Sequence, residues 1–372
     1  MRRLTCVLLS VAVAFVVSPA RTAAAAPTSA LDPRLVQTQQ VDGRIVDVSA
    51  TKVLYLDTAV PPALKVSDRT SLQVVAVPAV PGFPPSGGGW LTPRGVVFVS
   101  YGASTRPRLY EWDGGAGLVY LGGIQYGSQP RVSGPFLLWN DSPGTLWRRN
   151  VVTGQSIHVA SIPVYGADLD VSGDVIYLTG YMNRYHNGVT SQVPFPPGAD
   201  VPIVDGSSIV YDIRTDEKFF STLSGLLYDG ARHIELSPTH NQPGGLMGPG
   251  VYRGTDINAA GGWTAFRAPS GAVMVRNPTG RTYTLTTSAP VWSNSEIVTM
   301  NPRGETVFAA NDTLYLGLPG RETINVASGL GYWYPRGPNY VSFVDGRWVF
   351  GIGGRLYELT DPPRCPYLVR QG

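Results

Sequence analysis

VSGDVIYL, Val171 to Leu178, is the clearest copy of a phrase that decides the fold. It gives an apolar residue, a tight turn around Gly173, then a β-branched run ending on the aromatic ring of Tyr177. Seven more stretches share this grammar: VSATKVLYL (Val48 to Leu56), TPRGVVFVS (Thr92 to Ser100), VSGPFLLW (Val132 to Trp139), VDGSSIVYD (Val204 to Asp212), NAAGGWTAF (Asn258 to Phe266), NPRGETVFA (Asn301 to Ala309) and VDGRWVFGI (Val344 to Ile352). Their aromatics fall at Tyr55, Phe98, Trp139, Tyr177, Tyr211, Phe266, Phe308 and Phe350, a mean period of about 42 residues, which is blade spacing for a propeller.

Each copy continues into a second pair of strand-like segments joined by a turn. LWRRN (Leu146 to Asn150) and SIHVA (Ser156 to Ala160) flank Thr153-Gly154, and RLYEW (Arg108 to Trp112) and LVYL (Leu118 to Leu121) flank Asp113-Gly114-Gly115. Gly, Asn and Asp supply the positive φ of tight hairpins, and the flanks alternate apolar with polar as half-buried strands do. Long helical periodicity is missing, while Pro and Gly recur throughout. The reading is an all-β chain: a β-propeller of four-stranded blades, strands A to D from the axis outward. A sheet of this size cannot bury both faces alone, so neighbours stack around an axis and the ring closes. Eight blades keep the period even; seven is the alternative, because 177–266 also reads as one blade with two insertions. The last copy supplies only three strands, and either Arg34 to Val41 or Tyr367 to Arg370 completes it.

Residues 1–25 carry the parts of a secretory signal: Arg2 and Arg3, an apolar stretch from Leu4 to Val17, and an A-x-A site at Ala23 to Ala25. The Arg pair lacks the pattern of a twin-arginine signal, so the general secretory pathway is expected, with the protein secreted or on the cell-envelope exterior. The organisation is then 1–25 signal peptide, 26–33 linker, 34–361 a single propeller domain and 362–372 a tail. No other stretch is long and apolar enough to predict a membrane span. The formal charge of +3 falls to zero once Arg2, Arg3 and Arg21 leave with the signal, and no basic stripe is visible, which argues against a nucleic-acid partner. Only Cys365 remains after processing, so no intrachain disulfide forms and stability rests on the core. A monomer is expected.

In this topology the D-to-A and B-to-C connections share one face, and the A-to-B and C-to-D turns share the other. Length variation gathers on the first face, at Pro78 to Thr92, Phe195 to Pro202, Arg214 to Ser224, Ser237 to Gly254 and Ser328 to Pro338. Variable loops on a rigid scaffold are where binding residues sit. The candidate ligand-binding residues there are Trp90, His240, Asn241, Tyr252, Arg253, Trp292, Tyr332, Trp333 and Arg336. Aromatics entering an inner strand also wedge between blades, which is the competing structural role for Trp90 and Trp292. His233 and His240 are imidazoles of the type that hold metals, but their spacing matches no ligand signature, and neither a metal nor a cofactor is expected. Asp168 and Asp170 lie two residues apart beside an inner strand, where a shared face raises one pKa more readily than it makes a glycosidase pair. The sequence contains no G-x-S-x-G elbow, no H-E-x-x-H and no phosphate-binding loop.

The turns Val171-Ser172-Gly173-Asp174, Asn301-Pro302-Arg303-Gly304, Thr92-Pro93-Arg94-Gly95 and Val344-Asp345-Gly346-Arg347 resemble the S-P-D-G-x turn of TolB-like propellers, part of the WD40-like group. That resemblance spans nearly all of the chain after the signal. It implies a propeller fold, export, and a scaffold that holds proteins or peptides; the α/β domain preceding the propeller of TolB itself has no counterpart here. The expected function is a non-catalytic exported propeller that binds a protein, peptide or glycan at its long-loop face. The alternative is a propeller polysaccharide lyase or glycoside hydrolase, metal-assisted through His233 and His240.

Overall fold

A computed structural model describes residues 31–360, apart from 103–105, 116, 126–129, 165, 196–198, 218–219, 244–256, 269, 286–295, 311–312, 322 and 329–339. The first strand is β1 (Leu35–Gln40). Blade 1 follows as β2 (Gly43–Val48), β3 (Lys52–Asp57), β4 (Leu64–Asp68) and β5 (Val74–Ala76). Blade 2 is β6 (Pro85–Leu91), β7 (Val96–Ser100), β8 (Arg108–Trp112) and β9 (Leu118–Gly123). Blade 3 is β10 (Arg131–Ser133), β11 (Phe136–Asn140), β12 (Leu146–Asn150) and β13 (Ser156–Ala160). Blade 4 is β14 (Gly166–Leu169), β15 (Val175–Leu178), β16 (Met182–His186) and β17 (Val189–Val193). Blade 5 is β18 (Ala199–Asp205), β19 (Ser208–Glu217), β20 (Phe220–Tyr228) and β21 (His233–Pro243). Blade 6 is β22 (Ile257–Ala260), β23 (Trp263–Arg267), β24 (Val273–Arg276) and β25 (Thr282–Thr284). Blade 7 is β26 (Glu296–Met300), β27 (Thr306–Ala310), β28 (Thr313–Gly317) and β29 (Ile324–Ser328). Blade 8 is β30 (Tyr340–Val344), β31 (Arg347–Ile352) and β32 (Arg355–Leu359), with β1 as its fourth strand.

The eight sheets are antiparallel; on their inner strands β2 meets β6, the inner strands from β10 to β30 meet in succession and β30 meets β2, while blades 2 and 3 join through a shared apolar cluster. Outer strands such as β5 and β17 are largely exposed. The core is divided to match: the described residues form eight apolar clusters, each spanning one junction between neighbouring blades. All eight repeat aromatics are at most 5% exposed. Phe98 packs with blade 1, Trp139 with blade 2 and Phe350 with blade 7, each ring facing the preceding blade.

The repeat turn is held by its own side chains. Asp170 accepts from the N–H groups of Ser172 (2.9 Å) and Asp174 (3.0 Å), and Asn301 accepts likewise from Arg303 (2.9 Å) and Glu305 (3.1 Å). Gly173 and Gly304 complete these turns at φ of 88° and 77°, a region costly for any residue with a Cβ. At Gly304 a Cβ would also collide with the Trp263 ring of blade 6.

The N-terminal segment closes the ring, and Tyr367 to Arg370 lie outside the described residues. β1 pairs antiparallel with β32 from Leu35↔Leu359 to Gln40↔Arg355, with an irregularity between Gln37 and Gln39. Across the seam Gln39 donates to Ser67 Oγ (2.7 Å), and Arg69 is ion-paired with Glu358. The stretch 177–266 is two blades, not one with insertions. Of the expected long loops, Arg214 to Ser224 is largely strand, continuing β19 into β20, and Ser237 to Pro243 of the next belongs to β21, with 244–254 outside the described residues. Trp90 likewise lies within inner strand β6, because the segment from Pro85 pairs with β7.

Phe350→Ala removes a fully buried ring from the junction of blades 7 and 8 and is expected to cost about 3–5 kcal/mol, read as a lower urea midpoint at unchanged slope. Deleting Leu35 to Gln40 leaves the β32 edge unpaired. Amide hydrogen exchange is then expected to accelerate first in β30 to β32, ahead of blades 3 to 6.

Candidate functional site

The residue immediately before each repeat aromatic pairs with one inner-strand position per blade. In ring order these positions are Asp47, Trp90, Arg131, Asp168, Ile203, Asn258, Thr299 and Ser342. Six of these eight register-equivalent inner-strand positions are therefore polar. Asp47, Arg131 and Asp168 retain some accessible surface although protein surrounds them almost completely.

Asp47 joins three blades. Its carboxylate accepts from the N–H groups of Val48 (2.9 Å) and Leu91 (2.6 Å) and from the Tyr340 hydroxyl (2.7 Å). Asp168 repeats the arrangement three blades on, accepting from Val204 N–H at 3.1 Å. Each carboxylate thus satisfies an N–H on the inner edge of the next blade, a donor the sheet ladder cannot reach. Burial dominates their protonation. It pushes Asp47 to about 6 against the donated hydrogen bonds, and Asp168 to about 6 against the nearby Arg131 charge. Burial also raises the Tyr340 hydroxyl and lowers Arg131 to about 10. The charge that faces the Arg131 guanidinium is the Asp168 carboxylate of the next blade.

The sequence candidates distribute unevenly over this frame. Trp90 is half-buried and packs on the cluster between blades 2 and 3, at the same axial level as Asp47 and Arg131. His240 and Asn241 lie on β21, in register with Leu223 and Thr222 of β20. Tyr252, Arg253, Trp292, Tyr332, Trp333 and Arg336 lie outside the described residues. His233 is tied into blade 5, its Nδ1 hydrogen-bonded to the Tyr211 hydroxyl at 2.6 Å and its ring against Tyr228. Asp168 and Asp170 do not act as a pair: Asp168 reaches the inner strand of blade 5, whereas the Asp170 carboxylate is occupied by the turn after β14. Asp47, Arg131 and Tyr340 escaped the sequence reading. The signal for the first two is a charged residue just before the apolar residue that opens a repeat, as in Asp47-Val48 and Arg131-Val132.

Blade 5 departs most from the others on the candidate face. β18 ends its pairing at Ala199↔Ile213, yet β19 and β20 continue to Glu217↔Phe220, and β21 follows as far as Pro243. A three-stranded flap therefore extends past the inner strand at the end where the B-to-C and D-to-A connections emerge. His240 and Asn241 are on it.

The fold defines the class, an eight-bladed β-propeller. No protein-family model and no curated protein matches the chain. Among solved structures it is similar to the computationally designed Ika8 protein (TM-score 0.51, 16% identity, covering 88% of this chain and 99% of that one). It is also similar to BamB from Moraxella catarrhalis (TM-score 0.50, 14% identity, 87% and 99% covered). TolB from Acinetobacter baumannii lies further off, at TM-score 0.34 and 15% identity over 65% of each chain. At such identities likeness shows the fold alone. No helix among the described residues is long and apolar enough to cross a membrane.

The raised carboxyls set a pH dependence. Between the unfolded value near 3.8 and the folded value near 6, the native state holds protons that the unfolded chain has released, so these two groups add stability as pH falls. Wild type is expected to gain stability relative to the double variant Asp47→Asn/Asp168→Asn from about pH 7 to about pH 5, measured by urea midpoints. A constant difference across that window contradicts the assignment.

Proposed function

We propose that this chain is an exported, non-catalytic propeller that holds a protein, peptide or glycan at its long-loop face. The observation that carries the reading is the flap of blade 5. β21 ends its sheet and has a hydrogen-bonded neighbour on one side only. An exposed strand edge offers N–H and C=O groups at the spacing an extended peptide needs, while side chains on alternate positions supply selectivity. His240 and Asn241 are positioned on this edge strand. The connections leaving blades 5, 6 and 7 on the same face carry Tyr252 and Arg253, Trp292, and Tyr332, Trp333 and Arg336 respectively. Aromatic rings and guanidinium groups are the side chains that dominate binding energies at protein interfaces. Export rests on the signal-like residues 1–25, and a peptide or protein ligand agrees with the TolB-like resemblance of the repeat turns.

The test uses the chain without residues 1–25 on peptide and glycan arrays, beside two variants. One replaces Thr215 to Thr222 with Asn-Gly, the short turn that hairpins favour. The other is Trp333→Ala/Arg336→Ala. Capture by wild type is expected to fall by about tenfold or more in each variant, as for the loss of an interface hot spot. Equal capture by all three proteins, or none by wild type, removes the reading.

A further inference from the structure

On the opposite, short-turn face, a cavity of about 330 Å³ opens between blades 3 and 4. It is lined by Phe136, Arg148, Asn150, Gln155, Ser172 and Asn187, together with Ile157 and Gly188. No acidic side chain lines it. We propose that this cavity binds the carboxylate of a small ligand, with Arg148 as the anchoring cation and the Asn150 amide as a second donor.

Arg148 is held ready for such a role. Its guanidinium lies between the rings of Phe136 (5.0 Å) and Tyr185 (5.1 Å) and donates to the Gly173 carbonyl of blade 4. No carboxylate pairs with it among the described residues, whereas the neighbouring Arg149 is bound to Glu111 at 2.7 Å. A fixed planar guanidinium with free N–H groups matches a carboxylate in shape and charge. The acids closest along the chain are engaged elsewhere: Asp170 by the turn that includes Ser172, and Asp174 by Arg184 (2.6 Å) and His186 (2.7 Å). Asn150 uses only its Oδ1, which accepts from Val152 (2.9 Å) and Thr153 (3.1 Å) and leaves the Nδ2 donors unused.

The junction of blades 1 and 2 provides an internal contrast, since it has a cavity of about 240 Å³ at the equivalent place. There Lys52, Val66 and Asp68 occupy the register positions of Phe136, Arg148 and Asn150. The guanidinium is replaced by an apolar side chain, and the amide by a carboxylate. Asp68 Oδ1 nevertheless caps its turn in the same way, accepting from Thr70 (2.9 Å) and Ser71 (2.7 Å). The scaffold therefore tolerates either residue, and the anion-binding set belongs to the junction of blades 3 and 4.

The test measures binding of D-glucuronate and N-acetylglutamate by calorimetry against their neutral amides, on wild type, Asn150→Asp and Arg148→Met. Asn150→Asp keeps the turn cap and places a negative oxygen in the cavity, so its thermal midpoint is expected to stay at the wild-type value. At least one acid is expected to bind wild type about tenfold or more tighter than its amide, with both variants losing that margin. Which acid binds tighter distinguishes an acidic sugar from an acidic amino acid or peptide as the source of the carboxylate. Equal affinity for acid and amide, an unchanged margin in Asn150→Asp, or no binding of either acid at about 10 mM overturns the assignment. The flap variants serve as controls and are expected to bind the acid like wild type, which keeps this result separate from the function proposed for the other face.

Discussion

A four-stranded sheet of this composition has two apolar faces and can bury neither by itself. Every blade depends on the blades beside it, and the repeat aromatics make that dependence specific. Tyr211 and Phe350 are fully buried in junctions, and the other six rings are nearly so. Because the seven rings from Phe98 to Phe350 each face the preceding blade, the packing is directional and propagates around the axis. Such an arrangement is stable only when the first and last blades also meet. Pairing of β1 with β32 provides the closure by placing chain from before blade 1 inside blade 8.

Polar groups reinforce the junctions where apolar packing stops. On the axis, Asp47 and Asp168 reach across to inner-strand N–H groups of the following blade. On the short-turn side, Arg184 reaches Gly206 O at 2.7 Å, and Trp348 Nε1 donates to Glu305 at 2.8 Å. Arg149 with Glu111 and Arg69 with Glu358 place largely buried ion pairs across two further junctions. Buried pairs of this kind offset their own desolvation cost only when well bonded. Their value here is register, since each fixes one blade relative to the next.

The two faces divide the functional possibilities. Short turns keep one face regular, so differences between junctions come from single side chains, as between Val66 and Arg148 or Asp68 and Asn150. The other face varies by length, and blade 5 extends that variation into hydrogen-bonded strand. A flap built on a ladder holds its strand edge more firmly than an irregular loop of equal length does, because its backbone groups are already satisfied on one side.

The sequence by itself determined the repeat, the all-β class, and most of the strands and turns within each blade. These are local or periodic properties: a Gly at positive φ, a β-branched run and a ring at fixed spacing are visible one repeat at a time. It left open the number of blades and the closing strand, because both depend on pairing between segments far apart in the chain. Arg34 to Val41 reads as an ordinary polar-apolar segment until β32 is beside it. Only the tertiary structure decided that Arg214 to Ser224 is strand, that Trp90 stands level with Asp47 and Arg131, and that Arg148 faces a cavity without an acid. Ring closure brings those residues together from different blades, and no spacing along the chain encodes which side chains meet across an axis or a junction.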